Sequence, residues 1–303
     1  MITSFADFCL HVYVVVDDLL AELALPQRPG PPPRCSDSEL IAMVLVGECR
    51  GWDQETELVA AFGEYPELFP HLPERSRFNR RRRNLMGTIN AIRQRVLAHF
   101  ELAADSHWVI DSLPIPVMGF HLVPRSRAKA TWQACGARFG RIESKRQTIF
   151  GYKLQLLVSF NGIIGTFSLA AANIDDLAAG AELLAAQGQL TVLGDKGYLS
   201  APVAEQLESE AGITLLTMPR KNQAEQLSPD QRRRHNHFRH IIETVASQLS
   251  EQLRIERNHA KTFWGLCTRL VSKLTAHTLC TYLNWRLGNP DWLQIKHLAF
   301  PHL

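Results

Sequence analysis

The sequence predicts an α/β fold: a mixed central sheet flanked by helices, with an all-α N-terminal domain in front of it. Three observations lead there. Apolar residues recur at helical spacing through residues 1–100, the texture turns β-rich from residue 105, and the β runs then alternate with helical segments. The 303 residues, 46% hydrophobic and 21% charged, suffice for about two domains with a large core. No apolar run approaches the ~20 residues that cross a bilayer. Asp7 stands where a secretory leader is basic, and His11 interrupts the first apolar run, so a signal peptide is not expected. Six cysteines with no CxxC pair disfavour a zinc module or disulfide scaffold and suit a reducing cytoplasm.

Residues 2–24 carry Phe5, Phe8, Val12, Val15, Val16, Leu19 and Leu23 on one helical face. Pro26 to Arg34, with five prolines in nine residues, reads as a stiff extended connector. Ser36 with Glu39 forms a capping box that opens a helix to about Glu48, which Gly51 closes. Asp53 is expected to cap the next helix, to about Phe62; the pair resembles a helix-turn-helix, although any two packed helices look alike at this level. An arginine-rich helix is expected to run on to about Phe100. Residues 107–116 read as a strand, 119–148 as an aperiodic basic stretch, and 150–160 with 162–171 as a hairpin turning at Asn161-Gly162. A helix at 175–186, a strand at 190–193, a helix at 201–210 and a strand at 213–217 follow. After a loop at 219–230, long helices cover about 231–256 and 261–286. The domains expected are 1–100, helical; 101–290, built on the sheet, with a basic insertion at 113–148; and a tail at 291–303.

Charge is segregated along this layout. The balance is −9 over residues 1–70, +11 over 71–160 and +1 over 161–303. A basic middle segment points to a polyanionic partner, nucleic acid first, unless the two blocks merely neutralise each other. Arg75, Arg77, Arg80, Arg81, Arg82 and Arg83 crowd one helix and can straddle phosphates. Arg125, Arg127, Lys129, Arg138 and Arg141 populate the basic insertion, where Trp132, Phe139 and Phe150 are candidates to stack on an unpaired base or to pack beneath the loop.

Three acids stand apart. Asp111 ends the first strand, Asp195 follows the fourth in a Gly-Asp-Lys-Gly-Tyr turn, and Glu243 lies within the long helix beside apolar Ile242, Val245, Leu249 and Leu253. With the first and fourth strands adjacent, the two aspartates become neighbours, and a helix across that edge delivers the glutamate. Converging carboxylates repel one another; a hard divalent cation such as Mg²⁺ relieves that repulsion. Two such ions about 3.5–4 Å apart serve in-line phosphoryl displacement. Taken singly, each acid is more simply a cap or a solvated carboxylate. Zinc at His235, His237 and His240 is disfavoured by their spacing, and Cys135 lacks a base nearby in sequence.

Val-Ile-Asp-Ser at 109–112, Gly-Tyr-Lys at 151–153, Gly-Asp-Lys-Gly-Tyr at 194–198 and Arg239-x3-Glu243 together resemble the DDE transposases of bacterial insertion sequences. Met-Pro-Arg-Lys-Asn-Gln at 218–223 and the stretch 256–286 bring the likeness closest to the insertion sequence family 982. The resemblance covers roughly residues 5–286. It implies an RNase H-like catalytic fold, with Asp111, Asp195 and Glu243 as catalytic metal ligands for Mg²⁺, Mn²⁺ substituting. It further implies cleavage of double-stranded DNA at terminal inverted repeats, strand transfer into target DNA, and a homodimer or larger assembly in a nucleoid-associated, cytoplasmic setting with no membrane partner. Related families often carry Tyr and Lys where this chain has Asn236 and Ser250, so those two roles do not carry over. Arg239 does match; it shares a helix face with Glu243 and is read as a phosphate contact, as are Lys153 and Lys196. Two alternatives stay open: an element-derived DNA-binding protein without cleavage, and a cellular nuclease or resolvase of the same fold.

Overall fold

The computed structural model describes residues 2–25, 30–100, 107–143, 146–217 and 228–301, giving backbone alone for 229–232, 234 and 235. Residues 26–29 of the proline connector, the 218–223 motif, Lys145 and the His235 side chain lie outside the described residues. The chain forms two compact units: residues 1–101 with 248–303, and residues 102–247. This division falls at residue 247, inside the span 101–290 expected as one domain.

The first unit is helical throughout its described residues: α1 (Phe5–Leu23), α2 (Asp37–Cys49), α3 (Glu55–Gly63), α4 (Arg75–Asn84) and α5 (Met86–His99) come from its first segment. Ser4 caps α1, and the Ser36/Glu39 capping box opens α2 with both reciprocal bonds. Two expectations are corrected here. Asp53 is not the cap of α3, whose first flanking residue is Gln54 without a side-chain bond. Asp53 is instead buried and paired with Arg254 at 3.5 Å. The arginine helix does not run unbroken to residue 100: it interrupts at Leu85, whose side chain is fully buried, and α5 resumes at Met86 with its buried residues continuing the same stripe.

The second segment of this unit explains its membership. A π-helical turn (Gln248–Gln252) replaces the expected continuation of the preceding helix to residue 256, with the Leu253 N–H donating to the Gln248 carbonyl at 3.0 Å. Beyond it, α10 (Phe263–Arg286) is buried on nearly every side from Leu266 to Asn284, so it requires helices around it, and α2 and α5 pack on it; α11 (Ile295–Ala299) follows. In the core, Glu48 of α2 accepts from both Arg82 and Lys273, all three buried. Burial on its own raises the Glu48 carboxyl, but Lys273 and Arg82 beside it outweigh that and hold it below the usual carboxylate range.

The second unit is built on a mixed sheet. Its strands are β1 (His107–Met118), β2 (Arg138–Ile142), β3 (Gln147–Ser159), β4 (Ile164–Ala171), β5 (Thr191–Gly194) and β6 (Thr214–Thr217). The order is β2-β3-β1-β5-β6, with β4 also pairing to β3. β3 is antiparallel to β1, β2 and β4, whereas β1, β5 and β6 run parallel. The hairpin turns where expected: Gly162 adopts φ 78°, which glycine tolerates at no steric cost, and its N–H donates to the Ser159 carbonyl at 2.9 Å. The stretch 119–148 is not aperiodic; it holds a 3₁₀ turn (Phe120–Arg125), α6 (Ala128–Ala134) and β2.

Helices α7 (Asp176–Ala185) and α8 (Ala201–Ala211) cover one face of the sheet, where Trp108, Ile110, Leu157, Leu183, Val192 and Leu207 form the core. Strand alternation turns Val109 and Asp111 to the opposite face, beside α9 (Pro229–Ser247). Burial of Ile241, Ile242 and Val245 fixes which side of α9 turns inward, and Phe238 stacks on Phe160 with ring centres 3.5 Å apart.

Candidate active site

The parallel pairing of β1 with β5 sets Val109 opposite Leu193, so Asp111 and Asp195, each two residues further on, stand level at neighbouring strand positions. Glu243 arrives from α9. All three acids, with Arg239 and Ile242, line one small cleft of about 60 Å³. Asp111 accepts from the Ser112 N–H at 2.8 Å. Burial pushes its carboxyl up from 3.8 to about 6; Asp195 and Asp176 add to the rise, against the Ser112 bond and Arg239. Asp195 is exposed and its Oδ1 accepts from the Gly197 N–H at 2.7 Å, so it also caps the short turn Lys196–Tyr198.

Glu243 is engaged by Arg239 in an i,i+4 ion pair of 2.8 Å, with both side chains more than half exposed. Among the described residues, no three His, Cys, Asp or Glu side chains are drawn into a metal-holding group. The donor set nevertheless fits a hard divalent cation. Three carboxylates open on one cleft, two of them electrostatically opposed, and the ion pair that occupies the third is worth about 0.5 kcal/mol or less.

Behind the cleft lies a polar relay that sequence reasoning missed. The Tyr198 hydroxyl donates to Gln155 Oε1 at 2.8 Å, and Gln155 Nε2 donates to Asp176 Oδ1 at 3.4 Å. Lys153 completes it, pairing with Asp176 at 3.2 Å and donating to the Ile174 carbonyl at 3.0 Å. Lys153 is thus buried and bonded inward, which corrects its reading as a phosphate contact. The legible signal was Lys153 and Gln155, two polar residues at strand spacing inside an otherwise apolar run. Tyr198 itself fits because residue 180 is glycine: a Cβ built there would lie 2.5 Å from its ring. Tyr198→Phe should leave the buried Gln155 oxygen without its donor and cost about 1–3 kcal/mol, measurable as a lower urea midpoint.

The arginines divide by burial. Arg75, Arg77, Arg80 and Arg83 are exposed on α4. Arg82 is buried against Glu48, and Arg81 donates to Asp37 at 2.7 Å and to the Cys35 carbonyl at 2.8 Å. These two hold the helical unit together, which corrects their reading as phosphate contacts. Arg125, Arg127 and Lys196 are exposed; Arg138 donates to the Gln133 and Ala137 carbonyls; Arg141 pairs with Glu143 at 3.0 Å on the surface. Trp132 and Phe150 are buried, so they pack under the insertion instead of offering a stacking face. No helix among the described residues is long and apolar enough to cross a membrane.

A family model described as a transposase DDE domain matches residues 104–262. Comparison with curated proteins and with solved structures gives no match. The matched span contains Asp195 after β5, the α9 glutamate, the whole sheet that sets them around one cleft, and Asp111, which lies inside β1 and not at its end as expected. Because it takes in more than half of the chain, it shows the family: the chain belongs to the DDE transposases of insertion-sequence type.

Proposed function

We propose that this transposase cleaves double-stranded DNA at terminal inverted repeats and joins the freed 3′ ends to target DNA, on an RNase H-like unit with Asp111, Asp195 and Glu243 as the catalytic carboxylates. One observation carries the reading: three acids from β1, from the turn after β5 and from α9 line a single cleft. They would hold Mg²⁺, for which Mn²⁺ can substitute, and the ions when bound neutralise charge on the phosphate and activate the attacking oxygen. The residues themselves do the positioning. Asp111 within β1 and Asp195 just past the end of β5 are fixed at the same level, and Glu243 reaches them once Arg239 lets go. Arg239, freed, is placed to take a phosphate oxygen, and Lys196 stands exposed beside Asp195 for the same purpose. Arg75, Arg77, Arg80 and Arg83 present α4 to the DNA backbone, and the pairing of two element ends calls for a homodimer or larger assembly. The sequence stretches 218–223 and 256–286 favour the insertion sequence family 982 within this class.

The test is a nicking and strand-transfer assay on DNA carrying the element's own ends, with Mg²⁺, Mn²⁺ or chelator. End-specific, metal-dependent nicks with 3′-hydroxyl products are expected. Tight DNA binding with no cleavage under any metal would favour a non-cleaving DNA-binding protein. Cutting of branched junctions without preference for the ends would favour a resolvase. Arg239→Ala provides a finer check. It should change stability by about 0.5 kcal/mol or less, since an exposed pair is lost, while lowering cleavage by about tenfold or more through the missing phosphate contact.

A further inference from the structure

The basic insertion carries a feature that the cleavage reading does not use. Phe120 and Phe139 are 52% and 40% exposed, and their rings meet edge to face with centres 5.9 Å apart. Phe139 rests on buried Phe150 at 5.0 Å, and the Lys129 ammonium lies 5.7 Å from the Phe139 ring centre. Residues 119–142 contain four Arg, one Lys and no Asp or Glu. Strand alternation puts Arg141 on the same face of β2 as Phe139; its surface partner is Glu143, and an exposed pair of that kind is readily exchanged. Two large apolar rings on an open surface ringed by cations suit a partner that is itself both flat and anionic.

We propose that this surface binds unpaired DNA, with Phe120 and Phe139 as stacking platforms for bases and Arg125, Arg127, Lys129 and Arg141 as contacts to the backbone. Aromatic rings stack on any base, worth ~1–3 kcal/mol per base, and flanking cations follow the phosphates. A duplex keeps its bases stacked on one another and offers this platform only its backbone. The cross-strand pairs Phe139–Phe150 and Asp111–Leu156 lie on the same face of the sheet, because Phe150 and Leu156 are an even number of residues apart on β3. Met118, at the end of β1 near Phe120, is seven residues from Asp111, ~23 Å of strand. The surface therefore sits on the cleft's own side of the sheet, a few unpaired nucleotides away. The inference rests on the proposal that the cleft acts on DNA ends, where strands become locally unpaired, but its test does not depend on cleavage.

The experiment is fluorescence anisotropy of the full-length protein in chelator, with a labelled oligothymidylate of about 12 nucleotides and, separately, a duplex of equal length. Wild type is expected to bind the single strand, and Phe120→Ala to weaken that binding about tenfold or more while changing duplex binding by about twofold or less. Phe120→Trp should retain the single-strand affinity. Since Phe120 is half exposed, thermal unfolding of both variants should match wild type. No wild-type binding of the single strand would overturn the proposal, as would a Phe120→Ala variant with unchanged affinity or with equal losses on single strand and duplex. In each of these cases end cleavage by the wild type would stand unaffected. Absent cleavage with intact, Phe120-dependent single-strand binding would instead remove the cleavage reading and keep this surface.

Discussion

Asp111→Asn should reduce strand cleavage by about 10³-fold or more while leaving DNA affinity within about twofold, read by nicking and by anisotropy on the same end DNA. The substitution keeps the shape of the side chain and removes the charge that the proposed cation needs. The same change should move stability the other way. In the metal-free protein the Asp111 carboxyl is raised from 3.8 to about 6, chiefly by burial, so its ionised form is disfavoured by the fold. A raised acid binds its proton more tightly folded than unfolded. Its contribution therefore weakens as pH climbs from 3.8 towards about 6 and is flat above that. The neutral amide of the Asp111→Asn variant carries no such loss. At neutral pH without metal the variant should be more stable by on the order of 1–2 kcal/mol, discounted for the partly open carboxylate. A variant that both cleaves normally and unfolds like wild type would remove Asp111 from the site.

Glu48→Ala should destabilise the helical unit by about 3–5 kcal/mol, because Arg82 and Lys273 remain buried around a cavity with no anion. Arg269 and Glu55 form a second pair nearby, with Arg82 also 3.9 Å from Glu55, so part of the loss is shared across the cluster. Urea unfolding followed by far-ultraviolet circular dichroism reads the effect. Replacing Glu48, Arg82 and Lys273 together by Leu, Met and Met should recover most of it, since an apolar trio of similar volume carries no desolvation penalty. If the single change costs less than about 1 kcal/mol, the buried cluster is not what orders α2, α4 and α10.

Local signals accounted for much of the architecture. Capping chemistry at Ser36 and Glu39, the Asn161-Gly162 turn and the alternation of strands with helices from β3 to β6 were readable because each depends on neighbours in sequence. The adjacency of β1 and β5, which makes Asp111 and Asp195 neighbours, entered the sequence reading only as a premise, and the parallel pairing supplies it. What failed depends on distant partners. Asp53 resembles a cap until Arg254 claims it; Arg81 and Arg82 resemble a DNA-facing run until Asp37 and Glu48 turn them inward; Lys153 resembles a phosphate ligand until Asp176 does the same. In each, an opposite charge far along the chain decided the direction of a side chain whose type is ambiguous alone. The π turn at Gln248 was equally invisible, because its Gln248 side chain bonds His277 and the Leu293 carbonyl.

The order in which the chain visits its two units constrains its biosynthesis. Residues 102–247 lie between the two segments of the helical unit, so a ribosome completes the sheet before α10 exists. Until residue 273 emerges, Glu48 lacks one of its two cations, and the faces of α2 and α5 that pack on α10 stay open to water. The nascent protein must therefore finish its middle before its beginning. Truncation anywhere ahead of α10 would release an N-terminal half with its apolar surface bare, a substrate for chaperones and proteases.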